Sequence, residues 1–307
     1  MQRLTLDGTI PDSLKGSIVA LGNFDGFHLG HQAVVGRAVA RAFHERRPAI
    51  VATFDPHPVR FFKPDAPPFR LTSLDQRESL FAHAGADAML VFAFDERLRS
   101  TSAEDFVGEL LAAHIGAAGV VTGEDFGFGK GRTGSVDLLR SLGPRHGIAA
   151  EAVGPVEIKG VPISSGRIRQ ALSAGDLASA TRMLSRDFAI SGVVEKGDAR
   201  GRKLGYPTAN LTLGDYQRPR YGIYAVRVTL DDGSEHPGVA SLGIRPTFDP
   251  PRELLEAFVF DFDGDLYGRT IEVALHAFIR DEEKFDDLDA LVAQMGKDEA
   301  EARQILA

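Results

Sequence analysis

The chain has 307 residues, of which 43% are hydrophobic and 25% are charged, and its formal net charge is −8. This composition is typical of a globular protein, the length predicts two domains, and the absence of cysteine excludes disulfides, thiol nucleophiles and Cys-ligated metal centres. The acidic balance argues against a duplex nucleic-acid binder, and since neither a secretory signal nor a membrane-length apolar run is found, we expect a cytoplasmic location.

The first part of the chain alternates short apolar runs with segments of helical periodicity. Strands are predicted at 17–24, 49–54, 87–94, 118–122 and 148–153, and helices at 32–46, 74–84, 101–115, 135–142 and from 166 onward. Thr101 and Glu104 predict a capping box at the start of the third helix. Strands and helices in this order indicate a Rossmann-like α/β domain, with a parallel sheet covered by helices on both faces.

The pattern changes near residue 186. Short alternating strands follow at 190–197, 222–230, 236–244, 254–262 and 270–279, and a helix is predicted at 287–305. Antiparallel strands without intervening helices are typical of a small β-barrel. We therefore predict an α/β domain over residues 1–186 and a small antiparallel β-barrel with a terminal helix over residues 187–307.

The segment from Gly22 to His31 (GNFDGFHLGH) is the most informative of the first domain. It joins the first predicted strand to a helix at the carboxyl edge of the sheet, where open α/β folds bind ligands. The helix start offers N–H groups to an anion, and His28 and His31 are spaced to lie on one side of its first turn. Two imidazoles at the start of a helix suit the binding of a phosphoryl group. We favour this interpretation over the alternative of two surface histidines beside an ordinary loop.

Three more segments end strands or open helices in this half. Asp55 and His57 follow the second strand, and Asp125 and Phe128 follow the fourth. A helix opens with two hydroxyls and two guanidiniums, which suit phosphate groups: Ser164, Ser165, Arg167 and Arg169.

In the second domain a glycine-rich basic stretch leads into an extended segment. Its glycines and cations could approach a phosphate chain: Gly197, Gly201, Arg202 and Lys203. Thr208 and Asn210 are two residues apart, so in an extended strand they share a face, and their oxygens suit Mg²⁺. From the residues alone, a plain surface turn is a serious rival to a phosphate loop.

The first set of motifs resembles the nucleotidyltransferase superfamily, and both sets in this order resemble the bacterial bifunctional riboflavin kinase/FMN adenylyltransferase family. The resemblance implies ATP-dependent phosphorylation of riboflavin to FMN by the barrel, and adenylylation of FMN to FAD by the α/β domain, with Mg²⁺. It implies catalytic roles for His28, His31 and Glu256, although from the residues alone Glu256 reads as an outward-facing strand carboxylate.

The resemblance also distributes the binding roles. ATP would be held by Gly22, Asn23, Phe24 and Gly30, with the helix-opening serines and arginines and the glycine-rich stretch named above. The flavin would be held by Asp55, His57, Asp125, Phe128, Arg280 and Phe285, and the metal by Thr208 and Asn210. Two positions depart from the family pattern: Gly166 replaces a hydroxyl, and Gly127 replaces an arginine, so a cationic contact from position 127 is absent.

Three alternatives remain. The barrel could be a flavin-binding regulatory module beside an adenylyltransferase, which the intact Thr208, Asn210 and Glu256 argue against. The chain could be a non-catalytic flavin carrier, or, ranked last, a class I tRNA synthetase, which also uses a His-x-Gly-His-type site. We expect riboflavin, FMN and ATP as partners, no nucleic acid or membrane, and, since oligomeric state cannot be read from the sequence, a monomer by default.

Overall fold

The computed structural model describes residues 1–196, 206–245, 252–285 and 287–307. Two compact units are formed, one by Met1–Pro67 with Leu74–Ser164 and the other by Pro68–Ser73 with Ser165–Ala307. The helices that follow Ser164 are therefore part of the same compact unit as the barrel. The division at residue 186 into functional domains stays a prediction.

The first unit is built on a six-stranded parallel sheet in the order β1-β4-β3-β2-β5-β6. Strand β2 lies between β3 and β5, so the loops that follow these three strands share one edge. The strands are β1 (Gln2–Thr5), β2 (Ile18–Leu21), β3 (Ala49–Asp55), β4 (Ala88–Ala93), β5 (Gly119–Gly123) and β6 (Ala149–Val153), and a separate hairpin is formed by β7 (Glu157–Ile158) and β8 (Val161–Pro162).

Helices cover both faces of this sheet, as predicted. Alternate residues of β2 point to opposite faces, so Val19 joins one apolar core and Ala20 the other. The helices are α1 (Leu29–Glu45), α2 (Pro58–Phe62), α3 (Leu74–His83), α4 (Glu96–Ser100), α5 (Ala103–Asp105), which continues as a π-helix over Phe106–Ile115, and α6 (Val136–Leu142). Strand β1 and the short helices α2 and α4 were not predicted.

The predicted capping box at Thr101 is wrong by one residue. Thr101 ends α4, and its hydroxyl donates to the carbonyl of Arg97 at 2.9 Å. Ser102 caps α5 instead, accepting a hydrogen bond from the backbone N–H of Asp105 at 3.0 Å. Since Thr101 already serves the preceding helix, the cap falls to the next hydroxyl residue.

The second unit is an antiparallel sheet in the order β10-β13-β12-β11-β14-β9. An isolated bridge between Glu195 and Asn210 joins the two edges, which gives the predicted barrel. Its elements are α7 (Ser165–Ala174), α8 (Leu177–Leu184), β9 (Phe188–Val193), β10 (Thr208–Thr212), β11 (Gly222–Thr229), β12 (Glu235–Arg245), β13 (Arg252–Val259), β14 (Thr270–Arg280) and α9 (Leu288–Leu306).

The C-terminal helix α9 packs on one face of this sheet. Ala302 and Leu306 cluster with Ala225 and Phe260, and Phe258 packs against the same cluster. Glu256 lies two residues before Phe258 on β13, so it is on the same face, one row further along. Within the described ranges no helix is both long and apolar enough to cross a membrane.

Candidate functional site

The turn between β2 and α1 is held in an unusual backbone conformation. Phe24 and Phe27 have φ values of 50° and 41°, in the left-handed region that bulky residues avoid. Their rings pack edge-on against Phe81 of α3, with centroid distances of 5.8 and 5.1 Å. The aromatic core thus stabilises a strained turn at the carboxyl edge of the sheet, a kind of strain that is often found at functional sites.

His28 and His31 lie together at the start of α1. Their rings stack with centroids 3.6 Å apart and an angle of 18°. His28 is the N-cap: its Nδ1 accepts a hydrogen bond from the backbone N–H of His31 at 3.3 Å. A Cβ at Gly30 would lie only 3.1 Å from Cε1 of His28, so the glycine between the histidines leaves room for the ring.

The end of β3 is tied to this turn. Thr53 donates from Oγ1 to the carbonyl of Asn23 at 2.8 Å, and the amide of Gly22 donates to the carbonyl of Ala52 at 3.2 Å. Asp55 ends the strand, and His57 caps α2 by accepting from the amide of Val59 at 3.1 Å. The predicted ATP residues Gly22 and Asn23 are therefore hydrogen-bonded to the end of the strand that carries the predicted flavin residue Asp55.

Arg77 on α3 is a member of this edge that the sequence reasoning missed. Its side chain is 3% exposed, and its Nη1 donates to Thr53 Oγ1 at 2.9 Å. Its Nη2 lies 3.6 Å from Oδ1 of Asp55. Arg77 stands in a polar helical segment with no motif around it, so only its burial reveals it.

The loop after β5 places its two predicted flavin residues differently. Asp125 is exposed, whereas Phe128 is buried and packs against Phe106, with ring centroids 5.2 Å apart. Gly127 lies under the guanidinium of Arg132: a Cβ there would be 2.9 Å from Nε. The expectation that position 127 itself supplies no cationic contact stays a prediction, and the guanidinium of Arg132 lies beside this glycine.

The predicted phosphate-binding residues around α7 lie at its first turns. Ser164 directly precedes the helix, which begins at Ser165, and Arg167 is half-buried. Arg169 donates from Nε to the carbonyl of Phe69 at 2.7 Å, and its guanidinium lies 5.2 Å from the centre of the Phe69 ring. The side chain of Arg169 thus fastens the segment Pro68–Ser73 within the second unit.

In the barrel, one row of residues across the sheet carries three of the predicted site residues. Asn210 of β10 lies directly opposite Glu256 of β13, and Glu256 lies directly opposite Ser241 of β12. The row continues through Ile223 to Arg280 of β14. Thr208 lies two residues from Asn210 on the same face, diagonal to Glu256. The fold therefore places the predicted metal and catalytic residues side by side, and the predicted flavin residue Arg280 lies in the same row, three strands away from Glu256.

Arg280 is engaged by the C-terminal helix. Its guanidinium donates to both carboxylate oxygens of Asp298, at 2.8 and 2.6 Å, and Gln294 donates to Oδ1 at 2.9 Å. The hydrogen bonds that Arg280 donates to Asp298 raise the pKa of Arg280 above its ordinary value. The guanidinium also lies 5.9 Å from the centre of the Phe285 ring. Both predicted flavin residues of this segment therefore lie together.

The remaining predicted phosphate-binding residues lie outside the described residues: Gly197, Gly201, Arg202 and Lys203.

Comparisons with known proteins agree for both halves of the chain. The family described as FAD synthetase matches residues 10–167, and the family described as riboflavin kinase matches residues 184–306. The bifunctional riboflavin kinase/FMN adenylyltransferase of Pseudomonas fluorescens is 40% identical over 294 residues, which cover 95% of this chain and 94% of that protein. The protein of the same name from Escherichia coli (strain K12) is 39% identical over 290 residues, covering 94% of this chain and 93% of the other.

A solved structure shares the whole fold. It is a crystal structure named as a macrolide-efflux protein from Streptococcus pneumoniae, with a TM-score of 0.87, 32% identity and 99% coverage of both chains. The name belongs to that other protein, and the similarity between the two structures shows that they share a fold. On the two family matches and these relatives, the chain belongs to the bifunctional riboflavin kinase/FMN adenylyltransferase family and is an enzyme that phosphorylates riboflavin to FMN and adenylylates FMN to FAD.

Proposed function

We propose that adenylyl transfer takes place at the carboxyl edge of the parallel sheet, with His28 and His31 as the catalytic residues. The observation that carries this assignment is the stacked pair of imidazoles at the start of α1, 3.6 Å apart, beside the strained turn after β2. The backbone N–H groups of a helix start and the histidine side chains together stabilise negative charge as it grows on a phosphoryl group.

In the proposed reaction an oxygen of the FMN phosphate attacks the α-phosphorus of ATP. The new phosphorus–oxygen bond forms as the bond to the β-phosphate oxygen breaks, so pyrophosphate leaves and FAD remains. Gly22, Asn23, Phe24 and Gly30 line the nucleotide side. Asp55, His57 and Asp125 serve the flavin side, and buried Phe128 shapes the loop rather than offering an exposed ring. The reaction needs positioning and charge stabilisation, and no covalent enzyme intermediate.

We propose that riboflavin phosphorylation takes place at the row of residues across the barrel, with Glu256 as the general base. Its carboxylate accepts the proton of the riboflavin 5′-hydroxyl as that oxygen attacks the γ-phosphorus of ATP, and ADP leaves. The residues around Glu256 support this role over that of a plain strand carboxylate. Asn210 and Ser241 flank it in the same row across the sheet.

Asn210 and Thr208 fit a magnesium site. Asn210 is 6% exposed, and its Oδ1 accepts no hydrogen bond from the described residues. A buried amide oxygen left in this state costs stability, so its retention favours a bound cation as its partner. Thr208 and Asn210 would hold Mg²⁺ together with the ATP phosphates, and the ion would neutralise charge on the transferred phosphoryl group.

The remaining phosphate contacts are proposed at two places. Ser164, Ser165, Arg167 and Arg169 would serve the β- and γ-phosphates in adenylyl transfer, and in that role Arg169 would exchange its bond to the Phe69 carbonyl for a phosphate oxygen. Gly197, Gly201, Arg202 and Lys203 would serve the phosphates in the kinase reaction. We further propose functional domains at residues 1–186 and 187–307, a monomer as the working state and, because both reactions consume ATP, a cytoplasmic location.

The experiment supplies the pure protein with riboflavin, ATP and Mg²⁺ and separates the flavins by chromatography over time. FMN should form first and FAD should follow, with ADP and pyrophosphate as the other products. A second reaction starts from FMN and ATP and isolates adenylyl transfer. Formation of neither flavin would overturn the assignment. FAD from supplied FMN without FMN from riboflavin would reduce the barrel to a regulatory module.

A further inference from the structure

Arg77 is a buried cation at the centre of the adenylyl-transfer edge. Its Nη1 lies 2.9 Å from Thr53 Oγ1, 3.3 Å from the carbonyl oxygen of Asn23 and 3.4 Å from that of Phe54. The side chain is only 3% exposed. Burying a guanidinium is costly, so a core-facing position on α3 would be filled at lower cost by leucine or methionine.

The partners of Arg77 come from two different segments. Asn23 belongs to the turn after β2, which leads to His28 and His31, whereas Thr53, Phe54 and Asp55 end β3. Thr53 Oγ1 also donates to the Asn23 carbonyl at 2.8 Å, so hydroxyl, carbonyl and guanidinium form one connected network. Asp55, 3.6 Å from Nη2, completes the charge pairing. A planar guanidinium can hold several oxygens in fixed directions at once.

We propose that Arg77 is a positioning residue for adenylyl transfer. Its guanidinium fixes the turn that carries the predicted ATP contacts relative to the strand end that carries the predicted flavin contact Asp55. The two substrates then meet with the FMN phosphate in line with the α-phosphorus. This inference rests on the proposed assignment of adenylyl transfer to His28 and His31.

The test compares Arg77→Met and Arg77→Lys in the full chain, with Arg140→Met as a matched control. Arg140 is exposed on α6 and pairs only with Asp137 of its own helix among the described residues. Three readouts are taken on each preparation: kcat and KM for FAD formation from FMN, FMN formation from riboflavin, and the unfolding temperature. The kinase reaction reports whether the barrel unit is intact, because its residues lie in the other unit, and the unfolding temperature reports on the folding of the chain that contains the substituted residue.

We expect Arg77→Met to lower kcat for FAD formation on the order of 10²-fold, measured well below its unfolding temperature, because small misplacements of reacting groups have effects of that size. FMN formation should be unchanged, and Arg140→Met should match the wild type. Arg77→Lys should recover part of the loss of kcat, since lysine keeps the positive charge but lacks the planar guanidinium that holds several oxygens at once. A merely structural arginine would lower the unfolding temperature and leave kcat at low temperature unchanged, which would overturn the inference.

Thr53→Val provides a second route if Arg77→Met does not fold. Valine keeps the shape of threonine and removes the hydroxyl that both Arg77 and the Asn23 carbonyl use. We expect Thr53→Val to lower kcat for FAD formation. In the double variant Thr53→Val/Arg77→Lys, the fold-loss of kcat should be smaller than the product of the two single fold-losses, because the two residues act in one network. Wild-type kcat in both single variants would refute the positioning role. If instead His31→Ala kept full FAD formation, the proposed site itself would be wrong.

Discussion

Asn210 and Glu256 lie directly opposite each other on the antiparallel strands β10 and β13, with their side chains on the same face of the barrel. They are 46 positions apart in the chain, yet directly opposed residues of this kind have Cβ atoms only about 5 Å apart. The pairing brings a proposed magnesium ligand beside a proposed general base. The proposed kinase site therefore needs no rearrangement of the sheet to bring these two groups together.

Replacing Glu256 should separate the two activities. We expect Glu256→Gln to lower FMN formation by about 10²-fold to 10⁴-fold, the range over which a general base contributes, and to leave FAD formation from supplied FMN unchanged. Glu235→Gln, an exposed carboxylate on β12, is the matched control. Rates are measured by chromatography of the flavins. Equal damage to both activities would contradict the division of labour.

The opposite separation is expected for His31. We expect His31→Ala to lower FAD formation from FMN by about 10²-fold to 10³-fold, because a positioned donor to the developing charge is lost, and to spare FMN formation. His44→Ala is the control, since His44 lies exposed in the last turn of the same helix. Full FAD formation by His31→Ala would remove the histidine pair from the mechanism.

Asn210 offers a test in which stability and activity move independently. We expect Asn210→Ala to raise the Mg²⁺ concentration needed for half-maximal FMN formation at least about tenfold, the size of effect expected when a metal loses a supporting group. The unfolding temperature should not fall, because Oδ1 accepts no hydrogen bond within the described residues. A protein that loses stability while its Mg²⁺ requirement stays the same would show that Asn210 is structural.

The Arg280–Asp298 pair should stabilise the docking of α9. Asp298 is 6% and Arg280 18% exposed, so removing one partner leaves a mostly buried charge. We expect Asp298→Asn to lower the free energy of unfolding by about 2 kcal/mol, less than the loss for a fully buried pair. Denaturant unfolding measures it, and Glu301→Gln, exposed on the same helix, should have no effect. An unchanged free energy of unfolding in Asp298→Asn would show that this pair does not hold the helix.

Tyr221 predicts a dependence of stability on alkaline pH. Burial, followed by the hydrogen bond that its hydroxyl donates to Glu253, raises the pKa of Tyr221 to about 12 from its ordinary value of 10.0. The folded state therefore keeps a proton that the unfolded state loses between these values, so this stabilisation is present below pH 10 and falls as the pH rises toward 12. In Tyr221→Phe the denaturation midpoint should fall less steeply between pH 10 and 12 than in the wild type. If the midpoints of the two proteins fell in parallel over this pH range, the role of Tyr221 would be refuted.

Local pattern was sufficient to predict the two architectures, because hydrophobic periodicity is a property of neighbouring residues. The strand, turn and helix around His28 and His31, and the alternation that places Thr208 and Asn210 on one face, follow from spacing alone. The same local reasoning placed the helix cap at Thr101 rather than Ser102, because it could not show that Thr101 already ends the preceding helix.

Tertiary structure alone decided which distant residues meet. No pattern in the sequence marks Arg77, yet packing of α3 against the sheet buries it between the ends of two strands. Strand register likewise aligned Asn210, Glu256 and Ser241, and the chain path brought Arg132 over Gly127. Periodicity specifies the face on which a side chain lies, whereas its partners are chosen by the lowest free energy of the whole packed chain.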